Sequence, residues 1–210
     1  MTSATPVTDI PYDQRLARMM IRPLVHTAVH PNHLTALSFV FGLIAALIFA
    51  VGGPGMTGWA AGIYMLAVFT DHTDGELARL SGKTSPLGHK LDFVIGGVNY
   101  TMLFIGIGVG QSGGPLGIWG PLLGLAAGLS NPLILTLRMG LDANFGKQAW
   151  RHPYFRGFEL EDFIYLIGPI TWFAGILWFF VPYGLGTLGY LAWTIVEYRR
   201  WHRPGGAGPT

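Results

Sequence analysis

A chain of 210 residues that is 50% hydrophobic and only 11% charged lies far below the roughly 25% charged share of a soluble domain. That balance excludes an ordinary water-soluble fold and predicts an all-α integral membrane protein. The net charge of +2 carries little information until the basic residues are located, and the absence of cysteine excludes disulfides, thiolate metal sites and a Cys nucleophile.

Taken in chain order, residues 1–32 read as a cytoplasmic arm. Arg15, Arg18 and Arg22 recur at three- and four-residue steps and share one helical face, with Leu16, Met19 and Met20 elsewhere on the surface, which suits a short interfacial helix lying on the membrane. Apolar runs follow at 33–51, 56–79, 87–110, 116–137, 162–180 and 183–198, and a bilayer crossing needs about 20 such residues. They predict a bundle of six transmembrane helices over 33–198, then a cytoplasmic tail at 199–210, all in a single membrane domain. The first run has no small-residue cleavage site and reads as a permanent span instead of a signal peptide.

All thirteen Lys and Arg fall in the arm, around the loops after the second and fourth runs, and in the tail. The connections at 52–55, 111–120 and 181–184 carry none. By the positive-inside rule both termini and the charged loops are cytoplasmic. The long connection at 139–161 interleaves Lys147, Arg151, His152 and Arg156 with Phe145, Trp150, Tyr154 and Phe155, a mixture that suits a membrane interface or a substrate phosphate; six spans leave no role for nucleic acid. Pro132 and Pro169 are expected to kink their helices.

The second run ends in Asp71-His72-Thr73-Asp74-Gly75-Glu76-Leu77-Ala78-Arg79, and Gly88 and Asp92 follow at the start of the third. Charges at membrane depth cost about 2.5–3.5 kcal/mol each, so such a cluster implies a functional site. On a helix Asp71 and Asp74 project to one side, with Ala78 a turn further and His72, Gly75 and Arg79 on the adjacent stripe. Asp92 lets a second helix present a carboxylate toward the same point. Oxygen ligands of this kind suit a hard divalent cation such as Mg²⁺, which usually shares its coordination with substrate phosphates. Gly75 and Ala78 leave a helix surface without bulk, and Arg79 can meet a phosphate with a bidentate fork. His72 and Glu76, at the variable positions, read as rim residues.

These residues resemble the signature of the CDP-alcohol phosphotransferase (CDP-alcohol phosphatidyltransferase) family: Asp71, Asp74, Gly75, Ala78, Arg79, Gly88 and Asp92 match at the family's spacing, and Gly96 stands where the pattern has a last Asp. Pro31-Asn32-His33-Leu34-Thr35 is similar to the segment that opens the family's first span. The resemblance implies a metal-dependent transfer of a substituted phosphate from a CDP-linked donor to an alcohol or lipid acceptor, with release of CMP, in membrane lipid synthesis. It implies Mg²⁺ or Mn²⁺ at Asp71, Asp74 and Asp92, a cytidine diphosphate site lined by Gly75, Ala78, Arg79 and Gly88, an active site on the cytoplasmic face, and a homodimer.

In the family the last Asp is the proposed base for the acceptor hydroxyl, and this chain has no carboxylate there. His89, Asp92, Gly96 and Asn99 follow helical steps along one face, so His89 is a substitute base acting through a water, beside Asp92. Glu161 and Asp162, opening the fifth run, are the outside candidates. The other readings are an acceptor oxygen that is already anionic, a relative that binds its ligand without turnover, and a different transfer on the same metal site.

Overall fold

The computed structural model describes residues 18–53, 55–145 and 160–203, and within them the fold is all-helical with no strand. Residues 18–21 are helical and lead into a 3-10 turn at Arg22–Leu24; the rest of the expected interfacial helix, including Arg15 and Leu16, lies outside the described residues. Helix α1 spans Pro31–Val51 and starts with a reciprocal cap: the Asn32 N–H donates to His30 Nδ1 at 3.3 Å, and the His30 N–H donates to His33 Nδ1 at 3.2 Å. Pro31 at the first helical position has no N–H to leave unpaired. Helix α2 spans Met56–Ser81 and stops at Gly82, whose φ of +68° is left-handed, a conformation that glycine adopts without a Cβ penalty.

Helix α3 spans Pro86–Gly110 behind a Ser85 cap, and α4 spans Trp119–Phe145. A 3-10 segment at Leu160–Leu166 runs into the short α5, Ile167–Phe173, and α6 spans Leu177–Trp201. α1 is central, with α2 and α3 packed on it; α4 packs on α3, α6 on α4, and α5 returns to α2. This order brings the C-terminal end of α2 and the N-terminal end of α3 together across the start of α1.

Four of these helices, α1, α3, α4 and α6, are long and apolar enough to cross a membrane, where six spans were expected. α2 has 26 residues and so the length, but its last three turns carry Asp71, Asp74, Glu76 and Arg79, which dilute its apolar character. The fifth run is not one helix over 162–180. It ends at Phe173, where Gly175 takes a φ of +95° and its N–H reaches back to the Ile170 carbonyl at 2.9 Å, a helix-stopping turn. The expected break at 181–184 is absent, and Pro182 lies inside α6. The turn sits seven residues earlier than the Pro-Tyr-Gly signal because Gly175 was hidden inside an apolar stretch.

Pro132 lies inside α4 and offers no N–H to the Gly128 carbonyl one turn back. Thr101 Oγ1 of α3 takes that place, donating to Gly128 O at 2.9 Å. Pro169 lies in the first turn of α5, where few backbone partners are lost. The outer surface is apolar: Leu37, Val40, Ile44, Leu47 and Val51 are exposed along one stripe of α1, and Leu122, Leu125, Leu129 and Leu133 along one of α4. In water such stripes would be an association hazard, whereas in hydrocarbon they are the solvent face.

Between helices, close approach replaces the hydrophobic effect as the source of association in lipid. Gly108 and Gly120 meet backbone to backbone: a Cβ on Gly108 would lie 2.5 Å from the Gly120 carbonyl oxygen and 3.2 Å from the Gly124 Cα. Backbone cannot rotate aside as a side chain can, so Gly108→Val is expected to push α3 and α4 apart and destabilise the fold by about 1–3 kcal/mol. A lowered thermal midpoint in detergent would register it; an unchanged midpoint would mean that the α3–α4 contact is looser than the structure has it.

Candidate active site

The site grows from the helix spacing. Asp71 and Asp74 lie on the α2 face turned toward α1, and α1 meets them with hydroxyls three residues apart. Thr35 Oγ1 donates to Asp74 Oδ2, and Ser38 Oγ donates to Asp71 Oδ1 at 3.1 Å. Asn99 of α3 donates in turn from Nδ2 to Ser38 Oγ at 3.1 Å. Thr35, Ser38, Asp74 and Asn99 are all buried. Two carboxylates are thus aimed by hydroxyl donors of α1, one of them held in turn by Asn99 of α3, a common device around metal ligands. The Pro-Asn-His-Leu-Thr segment thereby acquires a physical role, since its Thr35 orients Asp74.

Asp92 of α3 completes the group: Asp71, Asp74 and Asp92 each offer an oxygen, and these atoms lie within 4.8 Å of one another. Three carboxylates this close repel strongly in a partly buried setting, and the hydroxyl donors that hold two of them are neutral. Oxygen-only donors, convergent and in excess of local positive charge, fit a hard divalent cation.

Beside the carboxylates is a cleft of about 300 Å³ lined by Thr35, Asp74, Gly75, Ala78, Arg79, Lys83, Gly88, His89 and Asp92, among others. The predicted nucleotide-site residues Gly75, Ala78, Arg79 and Gly88 therefore share one cavity with Asp74 and Asp92, and His89 lines the same wall. At Gly75 a Cβ would make only ordinary contact, 3.5 Å from the Arg79 guanidinium. Gly88 is tighter: its N–H is bound by the Ser85 cap at 2.9 Å, and a Cβ would come within 3.0 Å of Ser85 Oγ and 3.3 Å of Asn32 Oδ1.

Gly96 faces the acids. A Cβ built on it would sit 3.8 Å from Asp71 Oδ2, an ordinary contact. The backbone leaves room for a Cβ at this position, and the carboxylate is missing. Glu161 and Asp162 fall in the 3-10 segment, and their side chains lie outside the described residues, as do Lys147, Trp150, Arg151, His152, Tyr154, Phe155 and Arg156 of the long connection.

The rim reading of Glu76 is corrected. Glu76 is buried, with a side-chain exposure of 1%, and is held by Arg79 Nη2 at 2.7 Å and Arg18 Nε at 3.0 Å. Its position beside the apolar Leu77 gave no sign of burial, because one of the two partners that balance it, Arg18, comes from the arm. His72 is partly buried, with Nδ1 3.2 Å from the Tyr165 hydroxyl of the 3-10 segment. A larger cavity of about 670 Å³ lies elsewhere, between α4, α5 and α6. Its described walls are mostly aromatic and aliphatic, with Arg138 among them, and hold no carboxylate cluster.

A protein of Thermococcus kodakarensis named bifunctional IPC transferase and DIPP synthase is 38% identical over 76 residues, which is 36% of this chain and 16% of that protein. The archaetidylinositol phosphate synthase of Pyrococcus horikoshii is 32% identical over 89 residues, 42% of this chain and 46% of its own length. The matched segments thus span less than half of either relative. The family model for CDP-alcohol phosphatidyltransferase matches residues 28–196, a region that takes in α1, the three carboxylates, the cleft and nearly all of α6. The chain belongs to the CDP-alcohol phosphatidyltransferase family.

Proposed function

We propose that the chain transfers a substituted phosphate from a CDP-linked donor to an acceptor alcohol and releases CMP, with a membrane lipid as one of the two substrates. The observation that carries this is the cleft itself, where Asp74, Asp92, Gly75, Ala78, Arg79 and Gly88 line one cavity. Asp71, Asp74 and Asp92 would hold Mg²⁺ or Mn²⁺. When bound, such an ion stabilises negative charge on a diphosphate. Arg79 takes a phosphate oxygen, and the bare surface of Gly75 and Ala78 admits the nucleotide. Thr35 and Ser38 hold Asp74 and Asp71 in place beside Asp92. The acceptor oxygen bonds to the donor's outer phosphorus, the bond from that phosphorus to the bridging oxygen breaks, and CMP leaves with the electron pair.

The acceptor proton needs a base, and His89 lines the cleft beside Asp92; the pair takes the catalytic role that Gly96 cannot. The Pyrococcus relative is an archaetidylinositol phosphate synthase, and we carry over only the class of its product, a phospholipid. α2 and the 160–173 segment complete six spans in this reading, with both termini and the cleft on the cytoplasmic side, and the protein works as a homodimer.

Gly96 supports a second reading, a relative that binds metal and nucleotide without turnover. The two part on CMP release with Mg²⁺ and a panel of CDP-linked donors and acceptors, comparing the unaltered chain with Gly96→Asp. The transferase reading expects CMP from the unaltered chain. Silence from it, with CMP released by Gly96→Asp, would replace the first reading by the second.

A further inference from the structure

We infer that Arg18, in the arm before the first long helix, sets the charge of the nucleotide cleft by neutralising Glu76, so that Arg79 remains a net cation for the diphosphate; this rests on the nucleotide reading above. Glu76 is fully enclosed, and its two oxygens are divided between two guanidinium groups: Oε2 takes Arg18 Nε at 3.0 Å and Oε1 takes Arg79 Nη2 at 2.7 Å. A carboxylate enclosed in this way must be balanced, since an uncompensated buried charge is strongly unfavourable. Were Arg79 its sole partner, the pair would be neutral and the cleft would lose the positive charge that Arg79 brings to it. Two guanidiniums around one carboxylate leave a single positive charge, and Arg79 is the more exposed of the two, at 56% against 32% for Arg18, on the side that lines the cleft.

The arm is held where this requires. Ile21, one turn after Arg18, is buried. Further along, Lys83 Nζ, at the rim of the cleft, donates to the Thr27 and Val29 carbonyls at 3.3 and 3.2 Å. The segment is therefore fastened to the α2–α3 corner at both ends, with Arg18 reaching 58 residues ahead to Glu76. Arg18 is a positioning residue: it touches neither cleft nor ligand, and acts through Glu76 on the charge and direction of Arg79.

Charge balance makes a prediction that simple structural support does not. CDP binding with Mg²⁺ is measured on the purified full chain, with the unaltered protein as reference. Arg18→Gln is expected to weaken CDP binding about fivefold, and Arg18→Lys to restore most of it. Adding Glu76→Gln to Arg18→Gln is expected to recover affinity, because both the carboxylate and its counter-charge are then gone and Arg79 is again a net cation. Affinity unchanged by Arg18→Gln would overturn the inference. So would a double variant as weak as Arg18→Gln alone, which would make the arm a mechanical support. Failure of the unaltered chain to bind CDP would overturn the nucleotide reading and this inference with it.

Discussion

Asp74→Asn is expected to lower CMP release by about 10²- to 10³-fold or more while leaving a folded, monodisperse protein in detergent. The substitution keeps the shape of the side chain and removes its charge. The Thr35 hydroxyl can turn to donate to the Asn oxygen, so the α1–α2 contact survives. What is lost is one of three anionic oxygens within 4.8 Å of one another, and with it the capacity to hold a divalent ion against a diphosphate. Thr35→Val, which leaves the carboxylate but removes the donor that aims it, belongs lower on the same scale, at about 10- to 100-fold. Turnover undiminished in Asp74→Asn would sink the metal assignment, and a Thr35→Val effect as large as that of Asp74→Asn would show that the hydroxyl does more than orient.

The second large effect concerns stability and lies away from the cleft. Arg138 of α4 is buried to 1% exposure and pairs with Glu197 of α6 at 2.9 Å, with Tyr190 and Trp193 stacked over the guanidinium at 5.3 and 4.7 Å. Removing one partner of a buried pair leaves the other uncompensated, typically at a cost of about 3–5 kcal/mol. Glu197→Leu is expected to reach that range, because the buried Arg138 guanidinium is left without a counter-charge. Arg138→Met should be milder: Glu197 is 20% exposed and stands one turn from the end of α6, within reach of the interface. The double variant, which removes both charges, should regain most of the loss. Thermal unfolding of the three in detergent orders them, and equal losses in the two single variants would contradict the asymmetry.

Arg138 also shows where sequence reading stops. It stands just past an apolar run, so it reads as one more basic residue at a membrane edge; its burial depends on Glu197, Tyr190 and Trp193 from a helix 50 and more residues away. The cleft was far more legible. Asp71, Asp74, Gly75, Ala78 and Arg79 lie within three turns of one helix, and Gly88 and Asp92 open the next, so helical spacing alone brings the acids of α2 to one side. The hydroxyls that aim them were not legible in the same way. Thr35 and Ser38 are ordinary polar residues in an apolar helix until α1 and α2 are packed. Glu76 misled because exposure was inferred from its place in a motif, whereas its burial depends on Arg18.

The helix boundaries divide along the same line. The expected runs beginning at 33 and 87 lie within two residues of the starts of α1 and α3, which His30 with Pro31 and Ser85 with Pro86 cap in the structure. The turn before α6 failed because two signals competed. Val181-Pro182-Tyr183-Gly184 has the composition of a turn, yet Pro182 is accommodated in the second turn of α6, and Gly175, an isolated glycine among apolar residues, supplies the left-handed residue that ends α5.

In the proposed reaction the three carboxylates and the cleft beside them form one metal–diphosphate site. Electron–nuclear double resonance on Mn²⁺ bound to the purified chain, with CDP added, tests that contact without depending on turnover. A phosphorus coupling that appears with CDP and disappears in Asp74→Asn is the predicted result. Mn²⁺ that binds with no phosphorus coupling, or a coupling that persists in Asp74→Asn, would contradict it.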